Sequence, residues 1–313
     1  LLKERAETGR IYIMNLDHCN SHSSFKDKVS MSNLCQEITL PTTPIQDIHD
    51  EEGEIALCIL SAVNVGALND LNELENVCDL SVRALEQIID YQDYPVRAAE
   101  VSTKKRRSLG IGYIGLAHYL AKNGVKYSDP KAWELVDRLS EAFQYHLLRA
   151  SCDIAMEKGK CESFERTKYA DGLLPIDHYK KDVDEIVPHK QRMAWESLRK
   201  DIAKYGLRHS TLSAQMPSES SSVVSNETNG IEPPRALLSI KKSKKGPLKQ
   251  IAPGYPKLKN DYTLLWDMPD NEGYINVVAM MQKYFDQAIS GNWSYNPLKF
   301  ENNEVPLSAM AQD

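Results

Sequence analysis

From Leu71 to Tyr91 apolar residues recur at Leu71, Leu74, Val77, Cys78, Val82, Leu85, Ile88 and Ile89, with acidic residues near the start. A spacing of three and four predicts an amphipathic helix. The stretch IALCILSAVNVG at 55–66 is instead continuously apolar and reads as a buried strand with Cys58 inside. RRSLGIGYIGLAHYLAKNG at 106–124 reads as a strand or glycine turn followed by a helix that Asn123-Gly124 closes. Further helices are expected at 130–158, ended by Gly159, and at 189–205, ended by Gly206. Before these, the pattern predicts a short helix over 1–8, a strand over 11–15, a long polar loop (DHCNSHSSFKDK), an extended segment over 33–40 and a turn-rich stretch, TTPIQDIHDEEGE. After them, STLSAQM is strand-like and leads through Pro217 into a serine cluster and the turn NGIEPP. ALLSIKKSKKGPLKQIAPGYP predicts short strands around a lysine-rich turn, followed by helices at 260–268 and 274–290. Strands alternating with helices and glycine turns indicate an α/β fold. The expected division is a larger unit over 1–230 and a small α/β appendage over 231–313.

Composition narrows the classes without choosing one. The 313 residues are 42% hydrophobic and 26% charged, enough for a sizeable core, and a net charge of -6 gives no sign of a nucleic-acid partner. The basic runs KKRR (104–107) and KKSKKGPLK (241–249) therefore read as solvated turns. No apolar run approaches the roughly 20 residues of a membrane span. The six cysteines, at 19, 35, 58, 78, 152 and 161, include no CxxC pair. That spacing argues against a zinc site and a disulfide framework, and the expected compartment is a reducing cytoplasm. His18 and His22 would share a helix face, but their neighbours read as loop, so no metal site is expected. GIGYIG at 110–115 has the GxGxxG spacing formally; Asp129, the acidic residue downstream, precedes a helix, so a packing turn is the better reading.

One stretch carries sharper chemistry. In SNLCQEI (32–38) an extended chain would turn Asn33, Cys35 and Glu37 to one face and Leu34 and Gln36 to the other. A carboxylate beside a thiol raises the thiol pKa and makes a poor thiolate nucleophile. A thiol that loses a hydrogen atom has no such difficulty. As a thiyl radical, Cys35 could abstract hydrogen from a carbon beside a hydroxyl, with Glu37 accepting the hydroxyl proton and Asn33 holding hydroxyls by hydrogen bonds. Cys58 could be half of a dithiol electron source beside the same cavity. In PSESSS (217–222), Pro217 suits a helix start, and the N–H groups and hydroxyls of Ser218, Ser220 and Ser221 could cradle phosphate, with the anionic Glu219 opposing.

SNLCQEI, GEIALCILSAVNVG, DYQDYP, RRSLGIGYIGLAHYLAKNG, LRHSTLSAQMPSESSS and NGIEPPR occur in this order. With them the chain resembles the large subunit of class I ribonucleotide reductases over nearly all its length. MNLDHCNSHSSFKDKVSMSNLCQEITLPT is similar to the branch found in T4-like phages and enterobacteria. The resemblance implies a ten-stranded α/β barrel with a central finger loop carrying Cys35 at its tip. It implies that Cys35 takes the 3′ hydrogen of a ribonucleoside diphosphate, Glu37 takes the 3′ hydroxyl proton, Asn33 holds the substrate and the 2′ hydroxyl leaves as water. Substrate contacts would come from Ser32, Asn33, Leu34, Cys35, Gln36 and Glu37, and phosphate contacts from Pro217, Ser218, Glu219, Ser220 and Ser221. Cys58 would be one of two redox cysteines. No metal or cofactor is expected on this chain; the radical would come from a diiron-tyrosyl small subunit, and electrons from thioredoxin or glutaredoxin. ATP, dATP and other deoxynucleotide effectors would bind an amino-terminal region of a homodimeric large subunit.

Departures from the family pattern matter equally. The redox partner of Cys58 is expected upstream of Leu1, and Cys19 is not its counterpart. No adjacent tyrosine pair for radical relay and no carboxy-terminal cysteine tail occur in these 313 residues. The chain is therefore expected to be a fragment of an intact subunit or a split-gene product, inactive and poorly folded alone because an incomplete barrel exposes sheet edges. A non-catalytic nucleotide-binding or assembly module is the alternative. A third reading, the glycyl-radical or cobalamin-dependent reductases, shares the barrel and finger cysteine and is disfavoured because Asn33 and Glu37 accompany Cys35 in the class I pattern, although these residues do not name the radical generator.

Overall fold

The computed structural model describes residues 1–243 and 246–312. Two parallel strands, β1 (Ile59–Asn64) and β2 (Leu109–Ile114), pair from Ile59 with Leu109 to Asn64 with Ile114. Two irregular segments extend the layer. Residues 211–216 run parallel to β2 through the Ile111–Ser213 bridge, and 286–290 run parallel to them through Gln215–Ile289. The lateral order is thus β1, β2, 211–216, 286–290. Where 211–216 parts from β2, the Gln215 carboxamide takes over the ladder: its Oε1 accepts from Tyr113 N–H (3.0 Å) and its Nε2 donates to Tyr113 C=O (2.9 Å). This close approach requires Gly112, since a methyl there would lie 2.6 Å from the Ala214 carbonyl oxygen.

Helices make up most of the remaining regular structure. They are α1 (Leu2–Thr8), α2 (Leu16–His22), α3 (Glu73–Tyr91), α4 (Arg97–Arg106), α5 (Leu116–Lys122), α6 (Pro130–Lys158), α7 (Pro175–His178), α8 (Trp195–Tyr205), α9 (Glu219–Val224), α10 (Glu272–Gln282) and α11 (Leu307–Gln312). A hairpin, β3 (Leu238–Ser243) with β4 (Gly246–Ile251), stands apart from the parallel layer. The apolar stripe of α3, including Leu74, Cys78, Val82, Leu85 and Ile89, is buried, and the helix packs on β1 and α6. α6 opens with Pro130, whose missing N–H costs a helix start nothing, and stops at Gly159, which has φ 86°. β2 is buried along its whole length, as a strand covered on both sides must be.

Segment 286–290 is held by one carboxylate. Asp286, 1% exposed, accepts from Leu212 N–H (3.0 Å), Ser213 N–H (2.8 Å), Ser213 Oγ (3.1 Å) and Tyr169 OH (2.7 Å). Its own N–H donates to Ser213 Oγ (2.9 Å). Burial pushes its pKa up against these hydrogen bonds. Glu86 is a second buried anchor. Burial opposes its ionisation, but hydrogen bonds from His209, Arg107 and Arg208 outweigh burial and bring it to about 2.

Several expected elements differ. Residues 11–15 are not a strand, and the polar run after them forms α2, which packs on α7. Residues 33–40 form a turn followed by irregular chain, β1 starts only at Ile59, and the helix expected at 189–205 starts at Trp195. KKRR is no solvated turn. It ends α4, with Arg106 bonded to Glu54 (2.8 Å) and Arg107 to Glu86 (2.7 Å), both arginines buried. The 260–268 helix reduces to a short 3-10 turn, Leu265–Asp267, and the expected 274–290 helix ends at Gln282, with 286–290 joining the parallel layer instead. Lys244 and Lys245 of the second basic run lie outside the described residues. The described residues contain no helix long and apolar enough to cross a membrane and no group of three potential metal ligands.

Two outcomes follow for stability. Asp286→Ala strips two backbone N–H groups of their acceptor and costs about 3 kcal/mol, as breaking buried charged hydrogen bonds does; Asp286→Asn, with only one acceptor oxygen, falls between it and the parent. Hydrogen exchange at the Leu212 and Ser213 amides reads both. A second outcome concerns α2 and α7, where His22 and His178 meet edge to face at 5.1 Å. Burial lowers His22 from 6.5 to about 4 and His178 to about 3. Neutral rings favour the folded state, so stability is intact above 6.5 and falls as pH drops toward about 4 and then about 3. The urea midpoint declines over that window, and His178→Phe flattens the decline.

Candidate functional site

Residues 32–38 close into a hydrogen-bonded turn, which corrects the expected extended geometry. Gln36 N–H donates to Asn33 C=O (3.2 Å), and Gln36 adopts φ 67°, a left-handed conformation costing a non-glycine residue about 1 kcal/mol. Asn33 Oδ1 accepts from Ile38 N–H (3.2 Å), and Ser32 Oγ donates to Ile38 C=O (2.8 Å). Alternation is lost. Asn33 and Leu34 are exposed, Ser32, Cys35 and Gln36 are half-buried, and Glu37 is 2% exposed. The Asn33 side chain spends its oxygen inside the turn. The turn is fastened to the parallel layer at one point, where Ala288 N–H donates to Glu37 C=O (3.1 Å).

Glu37, Cys35 and Cys58 do converge. Burial and then the Glu37 carboxylate push the Cys35 thiol up. Burial also pushes Cys58 far above the ordinary thiol range, with Asp286 and Glu37 adding to it and the Gln287 carboxamide opposing. Glu37 Oε2 is buried with no hydrogen-bond partner. An unpaired buried carboxylate oxygen is costly, so it is an acceptor awaiting a donor. Cys58 precedes β1, and its Sγ rests over Gly110 with Leu60 and Ile38: a methyl on Gly110 would lie 2.7 Å from Sγ, 2.6 Å from Leu60 Cδ2 and 3.2 Å from Ile38 Cδ1. The first glycine of GIGYIG therefore makes room for the thiol and the base of the turn. The glycine motif packs side chains and Gln215.

Residues 217–221 lie where the 211–216 segment ends. The helix starts two residues later than expected: Pro217 precedes Ser218, the residue before α9, which has φ 56° and no side-chain cap. Ser218 is buried, while Glu219, Ser220 and Ser221 are exposed at the first turn. Ser222, deeper, bonds Asn229 Oδ1 (3.0 Å) and tethers the following turn. His22 does share a helix with His18, but its ring donates to the Phe285 carbonyl (2.9 Å) and faces His178. Ser151, His209 and Glu86 form a serine–histidine–carboxylate chain at 2.9 and 3.1 Å, yet all three are fully buried, so it clamps helices and meets no substrate.

Asp286, Gln287 and Ala288 escaped the sequence reading because the run after Tyr274 looked helical throughout. The available signal was a polar pair, Asp286-Gln287, between apolar Phe285 and Ala288-Ile289.

Gly110→Ala tests the packing. The added methyl displaces Cys58 Sγ and Ile38, so the amides of Ile38 and Ala288 exchange faster together, about tenfold for a loss near 1.4 kcal/mol.

Comparison with known proteins identifies the family. The model of the family described as ribonucleotide reductase, barrel domain, matches residues 1–312. The chain is 57% identical to a ribonucleoside-diphosphate reductase subunit alpha from Haemophilus influenzae, covering all of this chain and 42% of that relative. It is 54% identical to ribonucleoside-diphosphate reductase 1 subunit alpha of Escherichia coli and 41% identical to the subunit alpha of Enterobacteria phage T4, again over the whole chain and 42% of each relative. It thus spans well under half the length of these relatives. A match along essentially the entire chain, together with the α/β layer and its finger-like turn, places the chain in the ribonucleotide reductase barrel-domain family.

Proposed function

We propose that this chain is the catalytic part of a large subunit that reduces ribonucleoside diphosphates to 2′-deoxyribonucleoside diphosphates by thiyl-radical chemistry. The observation that carries the reading is the Glu37 carboxylate, buried with Oε2 unpartnered and acting on the thiols of both Cys35 and Cys58. A thiol held in its protonated form is unsuited to nucleophilic attack and suited to giving up a hydrogen atom. Cys35 as a thiyl radical removes the hydrogen at C3′ of the ribose. Glu37 Oε2 accepts the 3′ hydroxyl proton. The 2′ hydroxyl, once protonated, leaves as water. Cys58 and a second thiol upstream of this chain supply two electrons and the hydrogen that replaces the hydroxyl at C2′, ending as a disulfide, and Cys35 returns its hydrogen to C3′, which restores the thiyl radical. Asn33 closes the turn through its oxygen, leaving its amide N–H groups free to hold a substrate hydroxyl, with Ser32, Leu34 and Gln36 shaping the same turn.

Pro217, Ser218, Glu219, Ser220 and Ser221 are the proposed diphosphate contacts, through the uncapped first turn of α9. The radical comes from a separate diiron-tyrosyl small subunit, and re-reduction from thioredoxin or glutaredoxin. Deoxynucleotide and ATP effectors, and the homodimer contacts, belong to the remainder of the large subunit. The compartment is the cytoplasm, where thiols stay reduced.

The test uses the full-length large subunit with its small subunit. Glu37→Gln is expected to lower turnover by at least about a hundredfold, the usual weight of a general base, while ribonucleoside diphosphate still binds. Full turnover in that variant removes the reading. Unimpaired binding with no turnover even in the parent complex would favour the non-catalytic module instead.

A further inference from the structure

Gln287 is buried, 3% exposed, at the joint between Cys58 and the parallel layer. Its backbone is fixed on both sides: N–H donates to Ser213 C=O (3.1 Å), and C=O accepts from Gln282 Nε2 (2.9 Å). Its side chain reaches across to β2, where Nε2 donates to Leu109 C=O (2.8 Å). Leu109 stands opposite Ile59 in the strand register, one residue from Cys58, and its other neighbour is Gly110, over which the Cys58 sulfur rests. A carboxamide nitrogen carries two hydrogens, and Leu109 uses one. Oε1 has no partner. Exchanging the two ends of the amide would set Oε1 against the Leu109 carbonyl oxygen, so the orientation is decided.

We propose that Gln287 is a positioning residue for Cys58, its amide nitrogen bridging the Leu109 carbonyl and the Cys58 sulfur so that the sulfur stays over Gly110 and is stabilised when it carries negative charge. The inference rests on reading Cys58 as a redox thiol. Burial, Asp286 and Glu37 all oppose a charged sulfur here, and the Gln287 carboxamide works against them. In thiol–disulfide exchange the Cys58 thiolate attacks one sulfur of a disulfide. A new S–S bond forms, the old one breaks, and the departing sulfur leaves as a thiolate that takes up a proton. The reverse step expels Cys58 as the thiolate. Both directions pass through charge on this sulfur, so a donor aimed at it speeds both.

The experiment uses the full-length large subunit, an aromatic disulfide as probe, and mass-spectrometric counting of the mixed disulfide on Cys58 across alkaline pH. Gln287→Met keeps the volume and removes the donor; the Cys58 exchange rate at fixed pH is expected to fall about tenfold, the effect of one hydrogen bond to a charged group. Gln287→Lys restores a donor to both Leu109 and the sulfur and is expected to exchange at least as fast as the parent. Hydrogen exchange at the Ser213 and Leu109 amides verifies that each variant keeps the strand. An unchanged rate in folded Gln287→Met, or a folded Gln287→Lys as slow as a slowed Gln287→Met, overturns the proposal. If Gln287→Met does not fold, the Gln287→Lys rate decides: slower than the parent overturns it. Deoxynucleotide formation by Cys58→Ser separates the two ideas, since undiminished turnover there would refute the redox role of Cys58 while leaving the measured effect of Gln287 on its sulfur standing.

Discussion

Asp286 places a carboxylate where no solvent reaches, and the chain surrounds it with hydroxyl and backbone donors from Tyr169, Leu212 and Ser213. A buried charge tolerates no sliding, because a shift of one residue would leave both the carboxylate and two amides unpaired. The register of 286–290 against 211–216 is thereby fixed. The next two residues make use of that register: Gln287 reaches Leu109 beside Cys58, and Ala288 N–H holds the Glu37 carbonyl. One anchored segment thus sets Cys58 and the finger turn against each other.

Electrostatics then separates the kinds of cysteine chemistry available. Active-site cysteines that act as nucleophiles sit near positive charge or helix starts. Cys35 has the opposite environment, a half-buried position beside an acid that raises its pKa. In the proposed chemistry the protonated thiol keeps the hydrogen that a radical exchanges, and the unpartnered Glu37 oxygen takes the hydroxyl proton. The same environment opposes a thiolate at Cys58, where the Gln287 carboxamide acts against it, and in the proposed redox role that opposition favours disulfide exchange.

The legibility of the chain followed the strength of its patterns. α3 and α6 were visible because long apolar stripes with clear stops leave little choice, and β2 with α5 because a glycine-rich apolar run precedes an amphipathic one. α2 was hidden since its face is half-buried and its composition polar. The 286–290 segment was hidden because Ser213, which Asp286 bonds, lies 73 residues away in sequence and its polar residues serve a carboxylate and an amide inside the protein, which local periodicity cannot reveal. At the finger, SNLCQEI singled out Asn33, Cys35 and Glu37 by residue type but misled on geometry: alternation describes a strand, whereas Asn33 and Ser32 fold the segment into a turn. Arg106 and Arg107 taught the same lesson, a basic run being taken for solvent when its carboxylate partners lie far along the chain.

The central claim is that Cys35 takes a hydrogen atom from the sugar. It is tested most directly by giving the full-length enzyme with its small subunit a mixture of ordinary and 3′-deuterated ribonucleoside diphosphate and following both during turnover. The account predicts that the deuterated molecules are consumed more slowly and accumulate in the remaining substrate. Equal consumption of the two, with deoxynucleotide formed at the normal rate, would contradict it.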